Sequence, residues 1–202
     1  MRAGRRPALR ALAVASLAAA VVSVAACSKS PAFVNTDISG ADFGADFRLT
    51  DHKGKPRTLA DFRGKVVAIF FGYTQCPDVC PTTLSDMAET MRRLGGDADR
   101  VQVLFVTVDP ERDTTELLSR YVPAFDPRFI GLRSDPETTA KVAKDFKVFY
   151  QKVPGSSPDV YGVDHSAATY LYDTHGRIRL FAKHGVGPDA FVHDIRMLLA
   201  EK

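Results

Sequence analysis

Two cysteines, Cys76 and Cys80, stand where the sequence predicts that a buried strand passes into a helix. The segment before them, 65–73, is apolar and rich in β-branched and aromatic residues, which is typical of a buried strand. Pro81 suits the first turn of a helix, and apolar residues at helical spacing follow it: Leu84, Met87, Met91 and Leu94. This junction constrains the chain most, because it places two thiols at the start of a helix.

A cysteine at a helix N-terminus is more readily a thiolate, since the free N–H groups and the helix dipole favour negative charge there. Thiolates attack disulfides and also bind soft metals. The C-x-x-x-C spacing lets both sulfurs share one face of the first helical turn and so form a chelate. A purely stabilising disulfide is the third interpretation, although closing so short a loop removes little unfolded-chain entropy. Redox exchange and metal binding therefore both stay open.

The first 26 residues read as a targeting signal rather than as part of a fold. Four arginines precede the apolar stretch 11–26, and the small residues of 24–26 lead to Cys27. This pattern resembles a bacterial lipoprotein signal, so residues 1–26 are predicted as the signal peptide and Cys27 as the lipidated mature N-terminus. An uncleaved anchor helix is the alternative. Either way, we expect a lipid-anchored or membrane-anchored protein on the periplasmic face of the bacterial cell envelope.

The overall positive charge comes from that signal. Of 27 Lys and Arg residues, four lie in 1–26, where there is no acid, so the remainder carries 23 basic against 24 acidic residues. No basic run occurs elsewhere, and the sequence predicts no nucleic-acid partner. With Cys27 assigned to lipidation, Cys76 and Cys80 are the remaining pair in a compartment that permits disulfides.

The rest of the chain divides into a flexible tether, 27–41, and one domain, 42–202. Predicted strands and helices alternate along the domain, followed by a hairpin and a closing helix. An N-terminal β-hairpin is predicted over 47–59, and a Gly/Pro/Ser-rich loop over 154–163. A cysteine pair at a strand-to-helix junction in this pattern predicts an α/β, thioredoxin-like fold with a central mixed sheet flanked by helices.

A site of two thiolates is incomplete for most metals, and His165 is the candidate for a third ligand. It precedes the predicted strand 167–172, whose start lies beside the cysteine loop in a thioredoxin-like fold. From the residues alone, a ligand role and a capping or hydrogen-bonding role are both open. The other histidines occupy turns, a loop end or a helix surface: His52, His175, His184 and His193.

Three segments together resemble the Sco/SenC family of copper-binding assembly proteins: 71–84, which contains Cys-Pro-Asp-Val-Cys-Pro, 106–114, and 164–166. The resemblance extends from about Phe47 to Leu199. It implies copper, as Cu(I) or Cu(II), bound by Cys76, Cys80 and His165. It also implies cytochrome c oxidase subunit II as the partner, through delivery of copper to its binuclear site or reduction of its cysteines. The sequence does not indicate the copper donor.

Two acids near the motif are candidates for a supporting role around the metal. The resemblance puts Asp109 near the copper site, whereas its other interpretation is a turn residue before Pro110. Asp78, between the cysteines, has helix capping as its alternative. Met87 and Met91 offer thioethers, but at helical spacing with apolar neighbours they are predicted to be core.

Three rival functions remain beside a copper chaperone. A thiol–disulfide oxidoreductase acting on exported cysteine pairs would use the same two thiols as attacking and resolving groups. A thiol peroxidase is disfavoured, because no P-x-x-x-[ST]-x-x-C arrangement surrounds Cys76. A zinc enzyme with a Cys₂His site is formally possible, yet no recognised motif supplies a general base.

Overall fold

The computed structural model describes residues 32–157 and 160–201. The predicted signal peptide, 1–26, and the predicted lipidation site, Cys27, lie outside the described residues. Within the described ranges, no helix is both long and apolar enough to cross a membrane.

An eight-stranded mixed sheet forms the centre of the domain, in the order β1-β10-β9-β4-β5-β6-β2-β3. Strands β4, β5 and β6 run parallel, and the remaining pairings are antiparallel. The strands are β1 (Thr36–Asp37), β2 (Leu49–Asp51), β3 (Pro56–Arg57), β4 (Val66–Gly72), β5 (Val101–Thr107), β6 (Ile130–Arg133), β9 (Thr169–Tyr172) and β10 (Ile178–Ala182). The predicted mixed sheet and its N-terminal hairpin, β2–β3, are confirmed.

Four α-helices flank this sheet in the described residues. They are α1 (Val79–Leu94), α2 (Thr115–Tyr121), α3 (Pro136–Asp145) and α4 (Gly187–Ala200). The sequence signals for their ends are present: Thr114 and Asp135 cap α2 and α3 with their side chains, and Gly95 ends α1 with a positive φ of 59°.

The core explains why β4 lies at the centre. All seven residues of β4 and all seven of β5 are buried, because helices cover both faces of parallel strands. Met87 and Met91 on α1 are each 1% exposed, which confirms that they are core residues. Since β4 leads directly into the cysteine loop, that loop is anchored in the most buried part of the molecule.

The predicted loop at 154–163 is wrong, since this stretch belongs to a β-hairpin. Strands β7 (Tyr150–Ser157) and β8 (Val160–His165) pair antiparallel in a sheet of their own. Pro154 is compatible with that pairing because each strand of a two-stranded ribbon has a free edge. The register shift between Pro154 and Ser157 accommodates the Gly/Ser-rich tip. Loop-forming composition was therefore overridden by backbone pairing.

The described end of the predicted tether lies on the domain. Strand β1 pairs with β10, and the backbone N–H groups of Val34 and Asn35 each donate a 2.8 Å hydrogen bond to the buried carboxylate of Asp194 on α4. Residues 34–37 of the predicted tether therefore pack as part of the domain, because a carboxylate from the last helix satisfies the backbone of this segment.

Candidate metal centre

The cysteine loop joins the end of β4 to the start of α1. Cys76 lies in the loop and is half-buried, whereas Cys80 lies in the first turn of α1 and is fully buried. The backbone N–H of Cys80 donates to Cys76 Sγ at 3.4 Å, and the N–H of Cys76 donates to the Tyr73 carbonyl at 3.3 Å. The loop thus turns one sulfur toward solvent and the other toward the core.

Gly72, the last residue of β4, makes room for the buried sulfur. A Cβ built at this position would lie 2.8 Å from Cys80 Sγ and 2.9 Å from atoms of both Phe70 and Phe105. These distances are far below ordinary contact, so a larger residue would displace the sulfur or the rings. The sequence analysis did not assign Gly72 this role; its position directly after an otherwise β-branched and aromatic strand is the signal that was present.

His165, the last residue of β8, completes a cluster with the two cysteines. Its Nε2 lies 3.4 Å from Cys80 Sγ, and the potential ligand atoms of Cys76, Cys80 and His165 all lie within 4.8 Å of one another. The rings of Phe70 and Tyr73 pack edge-on against the imidazole. The three side chains named as metal ligands from the sequence are therefore brought together, from a loop, a helix and a separate hairpin.

The tautomer of His165 follows from its second nitrogen. Nδ1 lies 3.1 Å from the Ser166 carbonyl oxygen, which only accepts hydrogen bonds, so Nδ1 carries the proton. The neutral ring then presents the lone pair of Nε2 toward the cysteines. A backbone carbonyl that fixes the tautomer in this way is a common support for a metal-binding histidine.

Burial decides the protonation of the cluster. Burial is the main cause that raises the pKa of the Cys80 thiol, and burial likewise lowers the pKa of His165. Without a metal, both groups are therefore neutral near pH 7, and the thiol hydrogen can be shared with Nε2. A soft cation that enters must displace the Cys80 proton, so its binding is linked to proton release.

A cleft of about 280 Å³ gives access to the cluster from solvent. Its lining includes Cys76 and His165, with Asp78 and Asp164 at the same opening. Cys80 is absent from the lining because it lies below the surface. A metal or an incoming thiol therefore meets Cys76 and His165 first.

Asp113 supports the cysteine loop, a role that the sequence analysis did not assign. Its buried carboxylate accepts hydrogen bonds from the Thr74 N–H, from the Thr74 hydroxyl at 2.6 Å and from the Thr107 hydroxyl at 2.6 Å. Burial raises its pKa, and these donors offset that only in part. Asp113 ties the cysteine loop to the end of β5. The repeated acid in Asp-Pro-Glu-Arg-Asp, 109–113, was the available signal.

Asp109 is buried and supports the hairpin rather than the sulfurs. Its carboxylate accepts from Arg112 Nε and, at 2.9 Å, from the Tyr161 hydroxyl on β8. Within the described residues it makes no hydrogen bond to Cys76, Cys80 or His165. Its connection to the cluster runs through the strand that ends at His165.

Asp78 occupies the N-cap position of α1, but its side chain accepts no capping hydrogen bond from the helix backbone. Its only contact of this kind in the described part of the chain is with the Thr82 hydroxyl, at 3.4 Å. Asp78 is exposed at the cleft, so it contributes negative charge to the opening rather than a fixed contact to the cluster.

The other histidines have separate environments. His52 Nδ1 accepts from the Gly131 N–H at 2.9 Å, and His184 Nδ1 lies 3.2 Å from the Thr83 hydroxyl. His193 Nδ1 lies 2.8 Å from the Asp194 carboxylate. The described residues contain no other group of three His, Cys, Asp or Glu side chains arranged to hold a metal ion.

Comparison with known protein families gives a match to the SCO1/SenC model over residues 35–200. The mitochondrial SCO2 homolog of Mus musculus is 40% identical over 157 residues, which is 77% of this chain and 62% of the mouse protein. The chain thus spans less than two thirds of the length of this relative.

Solved structures show the same fold. ScoI of Bradyrhizobium japonicum, solved with copper bound, is 42% identical, with a TM-score of 0.72 over 78% of this chain and 99% of that one. Apo Sco1 of Thermus thermophilus is also 42% identical, with a TM-score of 0.75 over 83% of this chain and 98% of that one. The predicted thioredoxin-like fold is thereby confirmed.

Proposed function

The chain belongs to the SCO1/SenC family, and from that premise we propose that it is a copper metallochaperone that holds copper with Cys76, Cys80 and His165. The observation that carries the proposal is the convergence of two sulfurs and one imidazole nitrogen within 4.8 Å, beside a solvent cleft. The similar Bradyrhizobium protein binds copper in its solved structure, which supports the choice of metal.

The donor set fits copper on chemical grounds. Thiolates are soft ligands that suit Cu(I), and an imidazole added to them gives a site that also accommodates Cu(II). Three protein ligands leave a coordination position free, and the cleft lets an acceptor's ligand approach it. Such a site is able to pass its metal on by ligand exchange. A disulfide between Cys76 and Cys80 would remove both thiolates, so copper loading depends on their redox state.

We further propose that the client is the binuclear copper site of cytochrome c oxidase subunit II and that the protein works from the periplasmic face of the bacterial envelope. The motifs shared with the Sco/SenC family support the client, and the lipoprotein-type sequence at 1–27 supports the location. Deleting the gene should lower the copper content and activity of the oxidase. Wild-type protein should restore both, whereas Cys80→Ala should restore neither. Labelling with a radioactive fatty acid, abolished by Cys27→Ser, tests the anchor.

The direct test is a titration with copper under anaerobic conditions. The full chain with Cys27→Ser, reduced in detergent, contains Cys76 and Cys80 as its only thiols, since the sequence has three cysteines. We expect equimolar copper retention and, with Cu(II), a thiolate-to-copper absorption band. His165→Ala should alter or abolish that band, while the matched His184→Ala should not. Loss of copper on desalting of the wild type would refute the proposal.

A second function is favoured by the unequal exposure of the two thiols. Cys76 lies at the cleft and Cys80 beneath it, as an attacking and a resolving cysteine do. The Cys76 thiolate would attack a client disulfide and release one client thiolate. Cys80 would then attack the Cys76 sulfur, which releases the second client thiol and leaves a Cys76–Cys80 disulfide. In this reaction the pair is oxidised and the client reduced, and turnover should survive His165→Ala.

A further inference from the structure

Most polar attachments of the β7–β8 hairpin to the rest of the domain end on one segment, 109–112; besides His165, the Tyr73 side chain also contacts the backbone of Val163. Within the described residues, three hydrogen bonds join the hairpin to 109–112: Arg112 Nη1 to the Tyr161 carbonyl at 2.8 Å, the Tyr161 hydroxyl to Asp109, and Lys152 to Glu111. Because the hairpin is not hydrogen-bonded into the main sheet, these bonds help to fix its position, together with the packing of the buried Val163.

Arg112 makes the most extensive of these attachments. Its guanidinium carbon lies 3.5 Å from the centre of the Tyr161 ring, while Nε binds Asp109, which in turn accepts from the Tyr161 hydroxyl. Each of Arg112, Asp109 and Tyr161 therefore contacts the other two, and this ring of contacts holds β8 at Tyr161. The planar fork of arginine permits stacking and hydrogen bonding at once, which a lysine cannot reproduce.

Stability alone explains this arrangement poorly. Arg112 Nη2 is buried and has no hydrogen-bond partner among the described residues, and an unpaired buried donor is costly. Asp109 is 1% exposed, so its charge has also been removed from water. The better explanation for this choice of residues is that their contacts fix the position of β8.

The position of Tyr161 affects His165 because both residues lie on β8. Tyr161, Val163 and His165 alternate along the strand, so their side chains share one face, and Val163 between them is buried. The segment that holds Tyr161 also holds the cysteine loop, because Asp113 binds Thr74 and Arg112 Nη1 lies 3.2 Å from Gln75 Oε1. Both halves of the metal centre are thus positioned from 109–113.

We propose that Arg112 and Tyr161 are positioning residues for the metal centre: they hold the hairpin so that the imidazole of His165 meets the two sulfurs. This inference rests on the proposed copper function and adds to it the part of the chain that sets the ligand geometry. Neither residue contacts the metal in this proposal, since both act through His165.

The first test uses Tyr161→Phe, which removes one hydroxyl and leaves the Arg112–Asp109 ion pair in place. Arg112→Met is less suitable because it would leave Asp109 buried and unpaired. In reduced full chain with Cys27→Ser, a competition titration with a Cu(I) chelator should show affinity about tenfold weaker, the lower end of the range for losing a supporting contact. Tyr150→Phe is the matched control, since Tyr150 lies opposite His165 and its hydroxyl has no partner in the described residues.

A double-mutant cycle separates positioning from general loosening. If Tyr161 acts through His165, Tyr161→Phe should change copper affinity by less than about twofold once His165→Ala is present. The same loss in both backgrounds would overturn the proposal. Arg112→Lys should behave like Tyr161→Phe, because it keeps the charge and loses the fork.

A measurement without metal keeps this inference separable from the copper function. In metal-free, reduced protein, Tyr161→Phe should speed amide hydrogen exchange in β8 by about tenfold and leave β4 unchanged, as the loss of one hydrogen bond implies. Unchanged exchange in β8 would overturn the positioning role. Failure of the wild type to retain copper, with faster exchange in the variant, would instead refute the copper function and leave the hairpin attachment standing.

Discussion

The two halves of the candidate metal centre are built in different ways. The cysteine half follows a strand whose seven residues are all buried, and Cys80 itself is fully buried. The histidine half is a two-stranded hairpin outside the main sheet, exposed at 151–156, with Val160 53% exposed. The contrast shows that one half is set by the core, whereas the other is held by a few polar contacts to 109–112 and by the buried Val163. Stability and site geometry should therefore respond to different substitutions.

The largest expected contrast is in stability. Leu84 on α1 is fully buried, so Leu84→Ala should lower the free energy of unfolding by about 2–5 kcal/mol, through lost burial and the cavity left behind. Val160→Ala in the hairpin should change it by less than about 0.5 kcal/mol, as is usual for exposed positions. Chemical denaturation of both variants measures the difference. Comparable losses would mean that the hairpin belongs to the same cooperative core.

A glycine in each half offers a closer comparison. Gly72→Ala would press a methyl group against Cys80 Sγ, Phe70 and Phe105, and overpacking of this kind costs about 1–3 kcal/mol. At Gly162 in β8, the nearest atom to an added Cβ is the Tyr73 hydroxyl oxygen, at 4.0 Å, so Gly162→Ala should cost much less. Denaturant midpoints of the two variants decide the matter. If Gly72→Ala were as stable as the wild type, the space for the sulfur would be less restricted than its contacts indicate.

The smallest expected effect is a pH dependence from the cysteine half. Burial raises the pKa of Asp113 in the folded state above its ordinary value of 3.8, so the native state binds this proton more tightly than the unfolded chain does. The resulting stabilisation is fully present below pH 3.8 and is lost as the pH rises through the raised pKa. Asp113→Asn removes this loss.

The measurement is the difference in unfolding free energy between Asp113→Asn and the wild type, followed from acidic to neutral pH. The variant should become more stable relative to the wild type as the pH rises. A difference independent of pH would show that the hydrogen bonds from Thr74 and Thr107 fully offset the effect of burial on the pKa of Asp113.

The sequence predicted the cysteine half more fully than the histidine half. Its strand, its helix and the junction between them at Cys76 and Cys80 are local features. Hydrophobic periodicity and Pro81 are enough to predict them. Residues 154–163 of the hairpin were predicted as a loop, because Pro154 and the Gly/Ser residues near it favour loops, and only pairing between β7 and β8 makes them strands. His165 was singled out by its place before a strand, yet a ligand role and a capping role could not be separated from the residues alone.

The sequence by itself determined the order of elements, the buried strand and the cysteine pair at the start of α1, because each follows from neighbours a few residues apart. Only the tertiary structure decided the distance between Cys80 and His165 and which nitrogen of His165 faces Cys80 Sγ. It also decided that Asp109 contacts Tyr161 of the hairpin. These depend on contacts between segments distant in sequence, such as Arg112 with Tyr161 and Asp113 with Thr74. Local patterns carry no information on such pairings, since many partners of the same chemistry are available until the chain has packed.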